Sequence, residues 1–141
     1  MAAFVDTNIV LCAFSKENNG DPSKTAVANE LVERLIRTAM ILLSAQVLNE
    51  FISVAMRKVN PPMTLDEVIG IVTRLSRCAA LPIDAPLVQL AMARVYQSQI
   101  RYWDALIVGA AIRSGATTLY TEDMQHGMRY GNLQLINPFA S

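Results

Sequence analysis

The first apolar stretch of the chain, residues 2–5, ends abruptly in the polar triplet Asp6-Thr7-Asn8. The stretch is too short for a helix and is typical of a buried strand. Apolar residues follow at 9–14, and Thr7 or Asn8 can cap a helix there. We therefore expect Asp6 at the carboxyl end of a strand, the edge of a parallel α/β sheet where ligands bind. The alternative is that Asp6 or Thr7 serves only as a helix cap.

The same alternation of short apolar runs and helical patterns continues along the chain. Apolar runs at residues 40–43, 79–83, 117–120 and 133–136 predict further strands, the last of them at a sheet edge. Helical patterns occupy about 22–36, 45–58, 65–77, 86–97 and 102–114, with a polar loop at 15–20 and a break at 60–62. This order predicts an α/β fold: a single domain over residues 1–141, with a parallel sheet of four to five short strands flanked by helices on both faces.

Several polar residues are explained by helix boundaries alone. Asp21 before Pro22 predicts a helix start, and Asp84 predicts another. Thr64 and Glu67 have the spacing of a capping box, so we assign Asp66 and Glu67 to that cap and not to chemistry. Gly115 predicts the end of the 102–114 helix.

Three further acids are expected near the sheet edge that carries Asp6. Asp123 follows the strand at 117–120, and carboxyl ends of parallel strands share one edge. Glu50 lies beside the apolar face of the 45–58 helix, where it leans over a cleft or is an ordinary solvated side chain. Asp104 lies at the start of a helix that is apolar on every side from Ala105 to Ile112. It is either a partly buried carboxylate that needs a partner or the N-cap of that helix.

Four carboxylates around one crevice repel each other unless cations lie among them. Hard oxygen ligands suit Mg²⁺ or Mn²⁺, and such a centre can activate water for phosphodiester hydrolysis. Signals for competing chemistry are absent from the sequence, which has neither a Gly-rich phosphate loop nor a Gly-x-Ser-x-Gly motif. The single histidine, His126, has no metal-spaced partner and is assigned to a turn or the surface.

Composition adds an expectation about partners. Apolar residues make up 52% and charged residues 17%, which excludes a disordered chain and favours a protein interface. The net charge is zero, so no global basic signal for nucleic acid exists. However, the basic set holds nine Arg and three Lys, and arginine suits phosphate contacts. Arg101, Arg113 and Arg129 are the candidates, and Arg101 is the one nearest the Asp104 turn.

The cysteines and the apolar runs indicate where in the cell the protein is expected to reside. Cys12 and Cys78 have neither a metal-ligand spacing nor a disulfide pattern, so we expect buried, reduced thiols in a cytoplasmic protein. The amino-terminal stretch does not resemble a signal peptide. No apolar run approaches the roughly 20 residues that span a membrane.

Together these segments resemble the PIN-domain ribonucleases, and more closely the VapC-type toxins of bacterial toxin–antitoxin pairs. The matching segments are FVDTN at 4–8, SAQVLNEF at 44–51, YWDALI at 102–107 and LYTEDMQHG at 119–127. The resemblance implies a Mg²⁺- or Mn²⁺-dependent endoribonuclease that cleaves RNA as the toxin of such a pair. It also implies a homodimer and an antitoxin that blocks the site, with operator DNA bound only through the antitoxin.

The resemblance also assigns roles to residues. It places the catalytic and metal-binding acids at Asp6, Glu50, Asp104 and Asp123, with Thr7, Asn8 and Thr121 as supporting groups. Glu122 lies beside Asp123, so either can be the fourth acid.

Two other classes of protein remain as alternatives. A Mg²⁺-binding phosphoacceptor signalling domain also gathers acids at a sheet edge, but it needs a late lysine, and the last lysine here is Lys58. A catalytically silent PIN-like binding module would keep the fold without the reaction. Cleavage of DNA instead of RNA is a third possibility, because nothing in the sequence reads a 2′-hydroxyl group.

Overall fold

The computed structural model describes residues 1–15, 21–57 and 62–140. Within them strands and helices alternate as predicted. The elements are β1 (Ala3–Val5), α1 (Thr7–Phe14), α2 (Pro22–Arg37), β2 (Ile41–Ser44), α3 (Ala45–Arg57), α4 (Leu65–Ser76), β3 (Ala79–Leu81), α5 (Ala85–Ser98), α6 (Tyr102–Arg113), β4 (Thr118–Tyr120), β5 (Arg129–Tyr130) and β6 (Leu133–Ile136). Residues 16–20 of the predicted polar loop, the predicted helix end at Lys58 and the Asn60-Pro61 break lie outside the described residues.

The strands form one sheet in the order β3-β2-β1-β4-β6-β5. Every pairing is parallel except that of β5 with β6, which confirms the predicted α/β class. The described sheet has six strands instead of four to five, and β6 is not an edge strand as predicted. The reason is a hairpin in which Gly131, at φ 62°, lets β5 fold back and cover β6.

The core lies around β1 and α6. All three residues of β1 are buried, because the strand is paired on both sides and packed on both faces. Helix α6 is buried from Ala105 through Ala111, close to the prediction, but Ile112 is 40% exposed as the helix leaves the core. Burying each large apolar side chain stabilises the fold by roughly 1.5–3 kcal/mol, so this core fixes the strand ends firmly.

The predicted helix boundaries are largely confirmed. Asp21 accepts a hydrogen bond from the Ser23 N–H at 2.9 Å, and Asp84 accepts one from the Leu87 N–H at 2.9 Å. Thr64 and Glu67 form the capping box. Gly115 has φ 84° directly after α6, a conformation that terminates a helix and suits glycine.

The structure can be compared with two of the sequence-based expectations, on the cysteines and on membrane-spanning segments. No disulfide joins Cys12 and Cys78, which are half-buried and not fully buried as predicted. Among the described helices, none combines the length and the apolar character needed to cross a membrane.

Candidate active site

Asp6 leaves the sheet where β1 and β4 end side by side. Val5 pairs with Tyr120 in register, and the Asp6 N–H donates to the Tyr120 carbonyl oxygen at 2.9 Å. Asp6 itself is the N-cap of α1, because its extended backbone brings Oδ1 to 2.7 Å from the Thr7 N–H. The prediction that Thr7 or Asn8 caps α1 is therefore wrong. Asp6 does more than cap the helix, because its other oxygen, Oδ2, accepts a hydrogen bond from the Thr121 hydroxyl group at 2.9 Å.

The Asp6 carboxylate is in an electrostatically unfavourable place. The side chain is almost wholly buried, and this loss of water raises its pKa from 3.8 to about 6. Hydrogen bonds from Thr7 and Thr121 lower the pKa, but the charges of Glu50 and Asp123 raise it. Asp6 therefore carries its charge at neutral pH only against a desolvation penalty, which a nearby cation would relieve.

Glu50 is tied to Asp6 through Thr7. Helix α3 starts directly after β2, so Glu50 lies in its second turn, still near the sheet edge. The buried Thr7 hydroxyl donates to Glu50 Oε1 at 2.7 Å, while the Thr7 N–H bonds Asp6. One threonine thus orients two carboxylates, and Glu50 is not the freely solvated side chain of the alternative interpretation.

Asp104 lies in the first turn of α6, and the N-cap is Arg101, so the interpretation of Asp104 as a cap is wrong. Its carboxylate faces the guanidinium group of Arg101, with Nε–Oδ2 at 3.1 Å and Nη2–Oδ1 at 3.4 Å. The Arg101 side chain is 76% exposed and that of Asp104 is 19% exposed. The Arg101 side chain therefore lies mostly in solvent, while its guanidinium group contacts the mostly buried Asp104 carboxylate.

The structure separates the two neighbouring acids after β4. Asp123 lines the same pocket as Asp6, and its N–H donates to the Thr121 hydroxyl at 3.3 Å. Glu122 forms an ion pair with Lys24 and does not line that pocket. Geometry therefore favours Asp123 as the fourth acid.

All four predicted acids line one pocket of about 410 Å³, which we call the acidic pocket. Its lining residues are Asp6, Thr7, Asn8, Leu11, Gln46, Glu50, Ser53, Val54, Arg101, Trp103, Asp104, Ile107 and Asp123. Of the predicted phosphate-binding arginines, Arg101 alone lines it. Arg113 pairs with Asp84 at 2.8 Å and Arg129 contacts Gln134 at 3.4 Å, and neither of them lines this pocket.

Three of the polar or aromatic lining residues were not predicted to be functional. Gln46 and Ser53 lie four residues before and three after Glu50, a helical spacing that places them beside it. Trp103 precedes Asp104 and is 62% exposed, although it is a large aromatic residue. An aromatic residue next to a candidate acid is the signal that could have identified it.

The donor chemistry of the acidic pocket fits a hard divalent cation. Carboxylate oxygens come from four elements, and the buried Asn8 Oδ1 has no hydrogen-bond partner among the described residues. Carboxylate and amide oxygens are the ligands that Mg²⁺ and Mn²⁺ prefer. Within the described ranges no three acidic, histidine or cysteine side chains converge closely enough to hold a metal.

Known proteins are similar to this chain in sequence family and in fold. The sequence model of the PIN domain family matches residues 3–127. No curated protein sequence matches the chain with statistical significance.

Solved structures show the same fold at low sequence identity. A toxin–antitoxin complex from Klebsiella pneumoniae has a TM-score of 0.71 at 17% identity, covering 98% of both chains. Mycobacterium tuberculosis VapC20, described as a Sarcin-Ricin loop cleaving toxin, has a TM-score of 0.65 at 20% identity and covers 86% of this chain and 90% of its own. Rickettsia felis VapBC2, bound to a DNA fragment from its promoter, has a TM-score of 0.61 at 24% identity, with 96% and 97% covered.

Proposed function

The chain belongs to the PIN-domain family, and from that premise we propose that it is a metal-dependent endoribonuclease acting as the toxin of a toxin–antitoxin pair. The observation that carries the proposal is the acidic pocket itself. Four carboxylates from separate elements of the chain line one pocket at the carboxyl ends of β1 and β4. A Sarcin-Ricin loop cleaving toxin among the solved structures with this fold supports RNA as the substrate class.

In this proposal Asp6, Glu50, Asp104 and Asp123 hold Mg²⁺ or Mn²⁺. The bound cation would supply polarisation of the scissile phosphate and of the attacking water. The chain's own contribution is orientation, in which Thr7 positions the Glu50 carboxylate and Thr121 positions that of Asp6. Asn8 is a supporting group whose amide oxygen is available as a further ligand.

Arg101 is proposed to hold the substrate. Its guanidinium group pairs with Asp104 but is largely exposed, so the pair is weak and can be exchanged for an RNA phosphate. A planar guanidinium group makes paired hydrogen bonds to phosphate as readily as to carboxylate. When a cation takes the Asp104 carboxylate, Arg101 is left beside the place where a phosphate must lie.

Cleavage by the purified chain tests this function. A single-stranded RNA and a DNA of the same sequence are each incubated with Mg²⁺, with Mn²⁺ or with EDTA. We expect cleavage of RNA with either cation, and its loss in Asp104→Asn and Glu50→Gln by about 100-fold or more, because several kcal/mol of transition-state stabilisation depend on the metal. Glu122→Gln is the matched control, since Glu122 pairs with Lys24 outside the acidic pocket.

Each alternative predicts a different result. Activity that survives EDTA, or full activity in Asp104→Asn, contradicts the proposed site. Tight RNA binding without cleavage under any metal favours a silent binding module. Preferential cleavage of DNA assigns the nuclease to the other substrate, and covalent uptake of phosphate from acetyl phosphate favours the phosphoacceptor domain.

We further propose a homodimer and an inhibitory antitoxin, through which alone operator DNA is bound. Leu65 and Ile69 on α4, and Leu90 and Met92 on α5, are each more than half exposed, which supports partner surfaces. Light scattering should report the dimer.

The fit of a guanidinium group to Asp104 supports an inhibitor that places an arginine in the acidic pocket. Added Mg²⁺ should then weaken inhibition in a co-purified complex, and inhibition indifferent to Mg²⁺ would contradict this mode.

A further inference from the structure

Trp103 presents an open aromatic face at the rim of the acidic pocket. The residue is 62% exposed, and it has one contact to its ring and one to its backbone. The Tyr102 ring contacts it edge to face, with centroids 5.1 Å apart and planes at 68°. The Gln46 side-chain amide donates to the Trp103 carbonyl oxygen at 3.2 Å. The indole therefore offers an open apolar face beside the acidic pocket, with the Tyr102 ring against it.

A second groove continues from the acidic pocket past Trp103. It measures about 690 Å³, within the roughly 300–1,000 Å³ of small-molecule sites. We call it the Trp103 groove, and it is lined by Ala45, Gln46, Asn49, Glu50, Ser53, Pro82, Ile83, Trp103 and Leu106. Four of these residues also line the acidic pocket: Gln46, Glu50, Ser53 and Trp103. The two cavities thus share a wall, and a ligand can occupy both at once.

Gln46 supplies an unpartnered acceptor at that shared wall. The residue is 6% exposed, and its amide nitrogen is used by the Trp103 carbonyl. Its Oε1 is buried and has no hydrogen-bond partner among the described residues. A buried acceptor without a donor is unfavourable in the free protein. A ligand that brings an N–H group to Oε1 removes this penalty, so the groove favours a flat, partly polar ligand over a purely apolar one.

We propose that the Trp103 groove is a subsite for one unpaired nucleobase of the substrate, next to the cleaved phosphate. The proposal rests on the proposed ribonuclease function, because the acidic pocket must hold that phosphate. The indole face stacks on the base, and Gln46 Oε1 accepts a hydrogen bond from a base N–H group. Aromatic stacking combined with amide contacts to a base edge is how proteins read single-stranded RNA. A base within a duplex cannot enter, so the substrate class is RNA with an unstacked nucleotide at the cleavage point.

Fluorescence provides a direct test, because Trp103 is the single tryptophan of the chain. Wild-type protein with Ca²⁺, a hard cation that can occupy the acidic pocket in place of Mg²⁺, is titrated with hexamers of adenylate, cytidylate or uridylate, and with an abasic ribose-phosphate hexamer. We expect saturable quenching by the base-bearing hexamers. The abasic hexamer should bind about 5- to 150-fold more weakly, the range that one stacked base contributes, and should leave the fluorescence unchanged.

Variants separate stacking from general stability. Trp103→Ala should weaken binding of end-labelled hexamers, followed by anisotropy, by the same factor, while Trp103→Phe should retain most of the affinity. Gln46→Met should reduce the differences in affinity among the three bases. Tyr96→Ala is the matched control, since Tyr96 is an aromatic residue on α5 that is 89% exposed and lines neither cavity, so binding should not change.

The outcomes distinguish this inference from the proposed function. Equal affinity for abasic and base-bearing hexamers overturns the subsite. RNA cleavage and binding that are unchanged in Trp103→Ala overturn the subsite alone and leave the nuclease intact. A wild-type chain that neither binds nor cleaves RNA overturns both. Trp103 fluorescence that ignores RNA and changes only in a co-purified protein complex assigns the groove to a protein partner and overturns the nucleobase assignment.

Discussion

Replacing Asp6 by asparagine tests whether the acidic pocket is electrostatically strained. The pKa of Asp6 is raised from 3.8 to about 6, mainly because burial removes water from the carboxylate. Between these two values the folded chain keeps a proton that the unfolded chain has lost. The metal-free protein should therefore lose stability as the pH rises through this window, and the full penalty should be present above about pH 6.

The size of the effect follows from the pKa shift. A rise of about two units corresponds to roughly 3 kcal/mol at about 1.36 kcal/mol per unit. Asparagine keeps the shape, still accepts from the Thr7 N–H, and lets the Thr121 hydroxyl turn to accept from the amide. It removes only the charge. At roughly 3 °C per kcal/mol for a chain of this length, Asp6→Asn should raise Tm by up to about 9 °C at about pH 8.

Thermal unfolding followed by circular dichroism in EDTA is the assay, at about pH 8 and about pH 4. At the lower pH the wild-type Asp6 is mostly protonated when folded, so the two proteins should melt at nearly the same temperature. Glu122→Gln is the control, and its loss of a partly exposed ion pair should change Tm little at either pH. An Asp6→Asn protein that gains no stability at about pH 8, or gains equally at both pH values, would refute the reasoning.

Mg²⁺ or Mn²⁺ should raise the Tm of the wild-type chain, because the cation binds only the folded site, and calorimetry should find no rise in Asp6→Asn. Arg101→Gln should raise KM for RNA and reduce the slope of log affinity against log salt by about one; Arg113→Gln is the control, and equal slopes would refute the contact. Thr7→Val should lower kcat roughly 10- to 100-fold by releasing Glu50, and an unchanged kcat would show that Thr7 does not orient it.

The gathering of the acids was predictable because a parallel sheet brings distant strand ends to one edge. Asp6 and Asp123 lie more than a hundred residues apart, yet each follows an apolar run, and their strands pair directly. Helix starts carry Glu50 and Asp104 to the same edge. Hydrophobic periodicity specifies strand ends and helix faces, so it specifies which side chains share an edge.

The contacts within the pocket could not be predicted in the same way. That Arg101 pairs with Asp104, and that Thr7 bonds Glu50, depends on side-chain rotamers and on distances between elements. Strand β5, with two residues, is too short for any periodic pattern, so the edge of the sheet was misassigned. The predicted N-cap of α1, Thr7 or Asn8, is one or two residues late because three consecutive polar residues all suit that role.

The uncompensated polar groups of this protein are concentrated where function is proposed. Of three buried side-chain atoms without partners among the described residues, Asn8 Oδ1 and Gln46 Oε1 both belong to residues of the acidic pocket. Each costs roughly 1–3 kcal/mol, and the raised pKa of Asp6 adds a similar penalty. A domain has only roughly 5–15 kcal/mol of net stability, so it tolerates several such unfavourable groups in one place only where ligands satisfy them. These oxygen atoms favour different ligands. The carboxylates and Asn8 Oδ1 suit a cation, whereas Gln46 Oε1 suits an N–H donor. A nucleotide whose phosphate is bound through the cation would bring a base N–H group to Gln46 at the same time. This arrangement links the Trp103 groove to the acidic pocket.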